Sequence, residues 1–292
     1  MTNKQELDSH RSAVTNYFST NARFWEVIYD PNQAEIDRIF TDSITGRKRD
    51  VLECVDKHAG TKQLRILDIG CGPGIFMEEL LRRGHYVVGM DMTEKMVREA
   101  YDNTQKKYSE RAACVLGDIE YIPFKNNSFD LILCIGVLSY LQEEDKSAKE
   151  IARVIKKNGI FVTSNPNKLR MNILLDPYYY LIYGFDALKN RLFTHKASEK
   201  TSEKKVATVD SMMTFMKRFS YWQILNLFKK HNFIEIDTAG NGFGPLTIWK
   251  KEPIPVPISL GFSRCIEKLS KNPLFSVLRI FSNHMIVCMR KL

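Results

Sequence analysis

Three aspartates, Asp68, Asp91 and Asp118, each stand near the end of an apolar run, with a glycine within two residues of each. The first run reads Arg65-Ile66-Leu67-Asp68-Ile69-Gly70-Cys71-Gly72-Pro73-Gly74, an acid followed by glycines at alternate positions. Glycine is required where a backbone takes unusual dihedrals or lets a ligand approach without meeting a Cβ. A dinucleotide fingerprint also sets glycines after a strand, but there the turn receives a pyrophosphate. An acid beside that turn repels phosphates. Asp68 suits a ligand carrying a cationic amine and a sulfonium, the pair found in S-adenosylmethionine.

Asp91, 23 residues beyond Asp68, is placed to accept hydrogen bonds from both hydroxyls of a ribose. The competing role, capping the next helix, suits Thr93 better, with Met96 facing inward. In Gly117-Asp118-Ile119 the carboxylate is placed to take an adenine amino group while Ile119 packs on the ring. An isolated Gly-Asp would read as an Asx-turn. Three acids at the C-terminal ends of successive strands favour the ligand instead.

The elements that position these acids follow from the pattern. Strands are predicted at Leu64–Ile69, Tyr86–Asp91, Ala112–Leu116, Phe129–Ile135, Gly159–Ser164, Phe233–Thr238 and His284–Arg290. Helices are predicted at Gly74–Arg83, Thr93–Lys107, Asp145–Lys157 and Tyr221–Lys230, with Asn158-Gly159 as a helix stop. The alternation describes an α/β fold with a largely parallel sheet between helices. Residues 1–60 read as a helical N-terminal cover and 61–165 as the S-adenosylmethionine-binding core. Residues 166–218 read as an acceptor-binding lid insertion with a mobile Lys196–Lys205 stretch, and 219–292 as the remaining core, with an insertion at 240–282.

The chain has 292 residues, 44% hydrophobic and 26% charged, enough for a full core and unlike a disordered chain. Six scattered cysteines form no C-x-x-C pair, which argues against zinc and against a disulfide framework and fits a reducing compartment. The polar start lacks a secretory signal, and the apolar stretch at 169–193 is broken by Asp176 and Asp186, so a cytoplasmic location is expected. Net charge is +9, concentrated in 250–292 (eight Lys/Arg, two acids) and 189–218 (eight against three). Such charge is either a solvated surface or a face for an anionic partner such as a membrane surface.

Four stretches resemble class I S-adenosylmethionine-dependent methyltransferases of the small-molecule type. They are Leu67-Asp68-Ile69-Gly70-Cys71-Gly72-Pro73-Gly74, Gly89-Met90-Asp91-Met92-Thr93-Glu94-Lys95-Met96, Phe129-Asp130-Leu131-Ile132 and the helix-and-turn Glu150–Gly159. The resemblance covers residues 64–165 and implies a Rossmann-like seven-stranded sheet whose last strand is antiparallel. It implies that Asp68, Gly70 and Gly72 hold the methionine part, Asp91 the ribose, and Asp118 with Ile119 the adenine, with Cys71 and Met92 also at the cofactor. Main chain at Ile135 joins them. Tyr17-Phe18 and Trp25-Glu26-Val27-Ile28-Tyr29 are similar to the N-terminal cover of magnesium-protoporphyrin O-methyltransferases, which adds Tyr17 to the cofactor site and Tyr29 to the catalytic candidates. Aromatic packing of an amphipathic helix explains the same residues. Those enzymes and the ubiquinone-pathway methyltransferases carry a histidine after strand four; Val137-Leu138-Ser139-Tyr140 departs from them, with tyrosine in its place.

Methyl transfer from a sulfonium is an in-line displacement, so alignment and exclusion of water dominate and a base helps a hydroxyl acceptor. Tyr140 is the positional candidate and His195 the histidine nearest the aromatic cluster Tyr178–Phe185; His10, His58, His85, His231 and His284 lack supporting context. The cluster implies an apolar pocket for a hydrophobic small molecule, a polyketide, quinone, lipid or glycolipid precursor. O-methylation is the expected reaction. The apolar and basic segment Ile258–Phe281 either covers the sheet or touches an anionic membrane. The alternative is an RNA or protein methyltransferase using the basic lid and C-terminus; an adenine-N6 enzyme would carry an Asn/Asp-Pro-Pro-aromatic motif after strand four, where Cys134-Ile135-Gly136-Val137 stands.

Overall fold

The computed structural model describes residues 3–29, 38–178, 181, 216–245, 248, 251–252 and 254–292. Strand β1, Arg65–Ile69, is buried from Ile66 onward, as a strand covered by helices on both faces must be. Tyr86–Asp91 (β2) and Ala112–Leu116 (β3) pair parallel on one side of it, and Phe129–Ile135 (β4) and Ile155–Pro166 (β5) on the other. Phe233–Asn241 (β6) lies at the edge, and His284–Lys291 (β7) inserts antiparallel between β5 and β6. The order β3-β2-β1-β4-β5-β7-β6 is the predicted seven-stranded sheet with an antiparallel last strand. Its order reverses between β1 and β4, and at such a point the loops diverge to leave a crevice at the strands' C-terminal ends.

Helices α1 (Asn3–Thr20), α2 (Ala22–Val27) and α3 (Arg38–Ala59) precede the sheet. Strand alternation divides the core in two. Ile66, Leu131, Val162 and Cys288 face α3 and α4 (Ile75–Arg82), while Leu67, Ile132, Phe161 and Val287 face the opposite layer. After α5 (Glu94–Ala100), that layer gains α6 (Glu144–Val154) and, beyond the short α7 (Met171–Leu175), α8 (Tyr221–Lys229). Helix α8 begins with a full capping box, Ser220 accepting from the Gln223 N–H and the Gln223 side chain accepting from the Ser220 N–H.

Two helix ends differ from the sequence expectation. Helix α6 stops at Val154, not Lys157, because fully buried Ile155 pairs with Phe129 and Asn158 enters the left-handed region at φ 63°. Helix α5 gives way to a π-helical turn at Tyr101–Gln105, where Thr104 donates to the Ala100 carbonyl at 2.6 Å. The insertion at 240–282 contains α9 (Val256–Ser270) and a 3-10 segment, Pro273–Phe281, packed on one another. Among the described residues no helix is long and apolar enough to cross a membrane.

Candidate active site

The loops after β1, β2, β3 and β4 open into one cavity of about 1520 Å³, measured with its mouth. Gly70, Cys71, Gly72, Asp91, Met92, Asp118, Ile119 and Ile135 all line it, as do Tyr29 and Tyr140. The sequence therefore selects one site from six separate stretches of chain.

The glycine loop is shaped by two constraints. Gly70 has φ 67°, and a Cβ there would lie 2.2 Å from Val137 Cγ2, so the β1 and β4 loops can meet only over a glycine. Gly72 has φ 53°, and a Cβ there would meet no atom within 4 Å, because the position faces the open cavity. Asp91 holds this loop: Oδ2 accepts from the Gly72 N–H at 3.1 Å and Oδ1 from the Thr93 N–H at 2.9 Å. Each oxygen keeps a second lone pair, the requirement for a pair of ribose hydroxyls. Thr93 precedes α5 but makes no side-chain cap bond, so the carboxylate of Asp91 supplies the acceptor at that helix start.

Asp118 does both things the sequence allowed. Its Oδ1 accepts from the Glu120 N–H at 2.9 Å, closing an Asx-turn, and the residue still borders the cavity beside buried Ile119. Arg11 on α1 lies 3.6 Å from Asp118 Oδ2 and also bonds Glu120. Helix α1 thereby roofs the cavity, with Leu7, Val14 and Phe18 facing inward.

Asp68 is placed differently from expectation. It is 1% exposed and absent from the cavity wall, since strand alternation turns it with Ile66 toward the α3/α4 layer. Its Oδ2 is sealed without a hydrogen-bond partner, and burial, with Asp91 adding repulsion, pushes its carboxyl up to about 8. Tyr17 also stands off the wall, with its ring edge-on to Phe18. His195 and the rings Tyr179, Tyr180, Tyr183 and Phe185 lie outside the described residues, as does Lys196–Lys205.

The cavity wall also holds residues that spacing did not select. Arg47 on α3 is 6% exposed and donates to the Tyr29 hydroxyl at 2.8 Å, while Tyr29 rests edge-on against Phe76. Among the described residues Arg47 forms no ion pair with a carboxylate, and its Nε is buried without a partner. His284, opposite Pro166 in the β5–β7 register, also faces the cavity, with Nδ1 buried and unbonded. Burial and the charges of Arg47, Arg170 and Arg218 push its imidazole down to about 3, so the ring is neutral at ordinary pH. Burial pushes the Tyr140 phenol up, so it is a hydrogen-bond donor rather than a base. Neither Arg47 nor His284 belongs to a motif. The only sequence signal was an arginine on a helix ahead of the glycine run and a histidine at the head of the last strand.

The open position at Gly72 and the spare lone pairs of Asp91 together fit S-adenosylmethionine. The family model for a methyltransferase domain matches residues 67–163, the stretch from β1 to β5 that carries these residues. The chain carries a class I S-adenosylmethionine-dependent methyltransferase domain of the small-molecule type. Its cofactor is S-adenosylmethionine. The methyltransferase is 28% identical over 182 residues to the ubiquinone biosynthesis O-methyltransferase of Pelagibacter ubique, covering 62% of this chain and 70% of that one. It is 34% identical over 110 residues to the malonyl-[acyl-carrier protein] O-methyltransferase of Erwinia pyrifoliae, covering 37% and 40%. Its fold is similar to that of magnesium protoporphyrin IX methyltransferase from Synechocystis, with a TM-score of 0.59 at 16% identity over 97% of this chain and all of that one.

Proposed function

We propose that this methyltransferase transfers a methyl group to an oxygen of a hydrophobic small molecule. The observation that carries the reading is the wall beyond the glycine loop, where Phe18, Trp25, Ile44, Leu141 and Met216 surround a few polar groups. An apolar chamber with sparse polar groups binds an apolar body and orients one polar atom. The relatives named as O-methyltransferases support oxygen as the acceptor atom.

Bound S-adenosylmethionine supplies a methyl group on a sulfonium, already activated for displacement. Asp91 would accept from the ribose hydroxyls, Asp118 and Ile119 would hold the adenine, and the main chain of Gly70, Cys71 and Gly72 would follow the methionine part. Met92 and Ile135 would close against the nucleoside. Asp68 would act from behind the loop as a buried acid rather than as a direct contact, and Tyr17 would act through Phe18. Arg47, the buried guanidinium beside Tyr29 and Phe76, would take the methionine carboxylate. Tyr29 accepts from Arg47 and keeps its own O–H to donate. His284, neutral with a bare nitrogen, would accept a hydrogen bond from an acceptor hydroxyl and fix its direction; a ring this weakly basic orients the nucleophile but does not ionise it.

Titration calorimetry with S-adenosylmethionine and with NADH tests the cofactor, and labelled methyl transfer to a panel of apolar phenols and hydroxylated lipids against small polar alcohols tests the acceptor. Turnover of only the polar acceptors would overturn the reading. A second reading, contact with an anionic membrane, rests on the surface of α9 and the 3-10 segment. Ile258 and Leu274 are 62% and 84% exposed there, within the basic stretch 250–292. Failure to co-sediment with anionic liposomes at low salt removes it.

A further inference from the structure

We propose that Cys54, His58 and Cys288 form a binding site for a thiophilic divalent cation, zinc by preference, outside the methyl-transfer cavity. Cys54 and His58 stand one turn apart on α3, and Cys288 lies in the middle of β7 beneath that helix. Residues four apart on a helix share a face. One ligand atom from each of the three lies within 4.8 Å of the other two. Zinc bonds of about 2.3 Å to sulfur and 2.0–2.1 Å to nitrogen set ligands roughly 3.3–3.8 Å apart in a tetrahedron, so closure needs a shift of about 1 Å.

Independent features agree with a metal. Cys54 and Cys288 are both buried, and His58 Nε2 is sealed from solvent with no hydrogen bond. The nearest charged group to that nitrogen is the Asp237 carboxylate, at the outer limit of contact. Asp237 faces Cys288 in the β6–β7 register, and its Oδ2 lies 3.5 Å from His58 Nε2, so it stands beside the three ligands and orients the imidazole. Lys57 stands 2.6 Å and Arg279 3.8 Å from that carboxylate. When metal–sulfur bonds form, each thiol releases its proton to solvent, and no electron changes hands. The dication and two thiolates are then neutral, and the charge of Asp237 is matched by Lys57, which orients it from behind. Two sulfurs and one imidazole select zinc over magnesium or calcium.

None of the four residues borders the cofactor cavity, so the site is structural, pinning α3 to the last two strands. Its sequence signature is a C-x-x-x-H on a helix, completed by a cysteine 234 positions downstream of Cys54. That spacing is invisible to a search for paired cysteines.

The test uses the full chain, reduced and stripped with a chelator, then titrated with cobalt and with zinc. The expected result is one cation per chain, with a thiolate-to-cobalt charge-transfer band and the intense visible bands of a tetrahedral site, all bleached by zinc. His58→Ala and the double variant Cys54→Ser/Cys288→Ser should lose these bands while binding S-adenosylmethionine as the unaltered protein does. That unchanged cofactor titration separates failure of this site from failure of the methyltransferase reading. If the variants do not fold, the cobalt spectrum of the unaltered chain decides. Folded, reduced protein that gives no cobalt bands, bands that survive in the double variant, or a Cys54–Cys288 disulfide in protein purified without oxygen would each overturn the proposal.

Discussion

Replacing Asp68 with asparagine should change how stability depends on pH. The carboxyl is buried beneath the glycine loop, where burial and Asp91 push it up to about 8 from an ordinary 3.8. A raised carboxyl pKa means the folded chain binds a proton that the unfolded chain has lost. Stability from this group is therefore full below the unfolded value and is lost as pH rises through the folded one. Between pH 5 and pH 8 the unfolded group is ionised while the folded group goes from protonated to half-ionised. At ~1.4 kcal/mol per pH unit, that interval amounts to about 3.5 kcal/mol, and relaxation of the surroundings brings the expectation to about 2 kcal/mol. Asparagine carries no such proton. Its own burial cost is the same at both pH values, so the pH-dependent difference isolates the carboxyl. The assay is urea unfolding of cofactor-free wild-type and Asp68→Asn protein at the two pH values. The wild type should lose about 2 kcal/mol more than the variant on going from pH 5 to pH 8. Equal pH dependence in the two proteins would refute the placement of Asp68 as a sealed, proton-holding acid.

Gly70→Ala should cost about 2–4 kcal/mol in chemical denaturation, because its methyl collides with Val137 at a left-handed backbone position. Gly72→Ala should cost only ~1 kcal/mol of stability but weaken S-adenosylmethionine severely by calorimetry, since its methyl enters the open cavity. Arg47→Met should weaken S-adenosylmethionine by about 1.5–3 kcal/mol, tenfold or more, and leave an analogue lacking the carboxylate unaffected. Equal losses for both ligands would remove that role. Ser220→Ala should lower stability by ~1 kcal/mol through the cap of α8, with no change in cofactor affinity.

The acids and glycines were legible because the loops that bear them follow strands whose period and composition are local properties. Asp91 and Asp118 sit at strand ends that apolar runs announce, and a glycine beside a carboxylate marks a backbone meant to be approached. The helix end at Val154 was missed because Ile155 is claimed by Phe129, a partner 26 residues away. Tertiary structure alone decided the rest. Strand alternation turned Asp68 away from the cavity its motif serves. Folding carried Arg47 from a helix before the sheet, and His284 from the last strand, to the wall of one chamber. The same layering of α3 on β7 gathered Cys54, His58 and Cys288. A sequence states which residues can turn a strand or accept a hydrogen bond, since these depend on near neighbours. It does not state which distant side chains share a wall, because that depends on sheet order and on the face each residue presents.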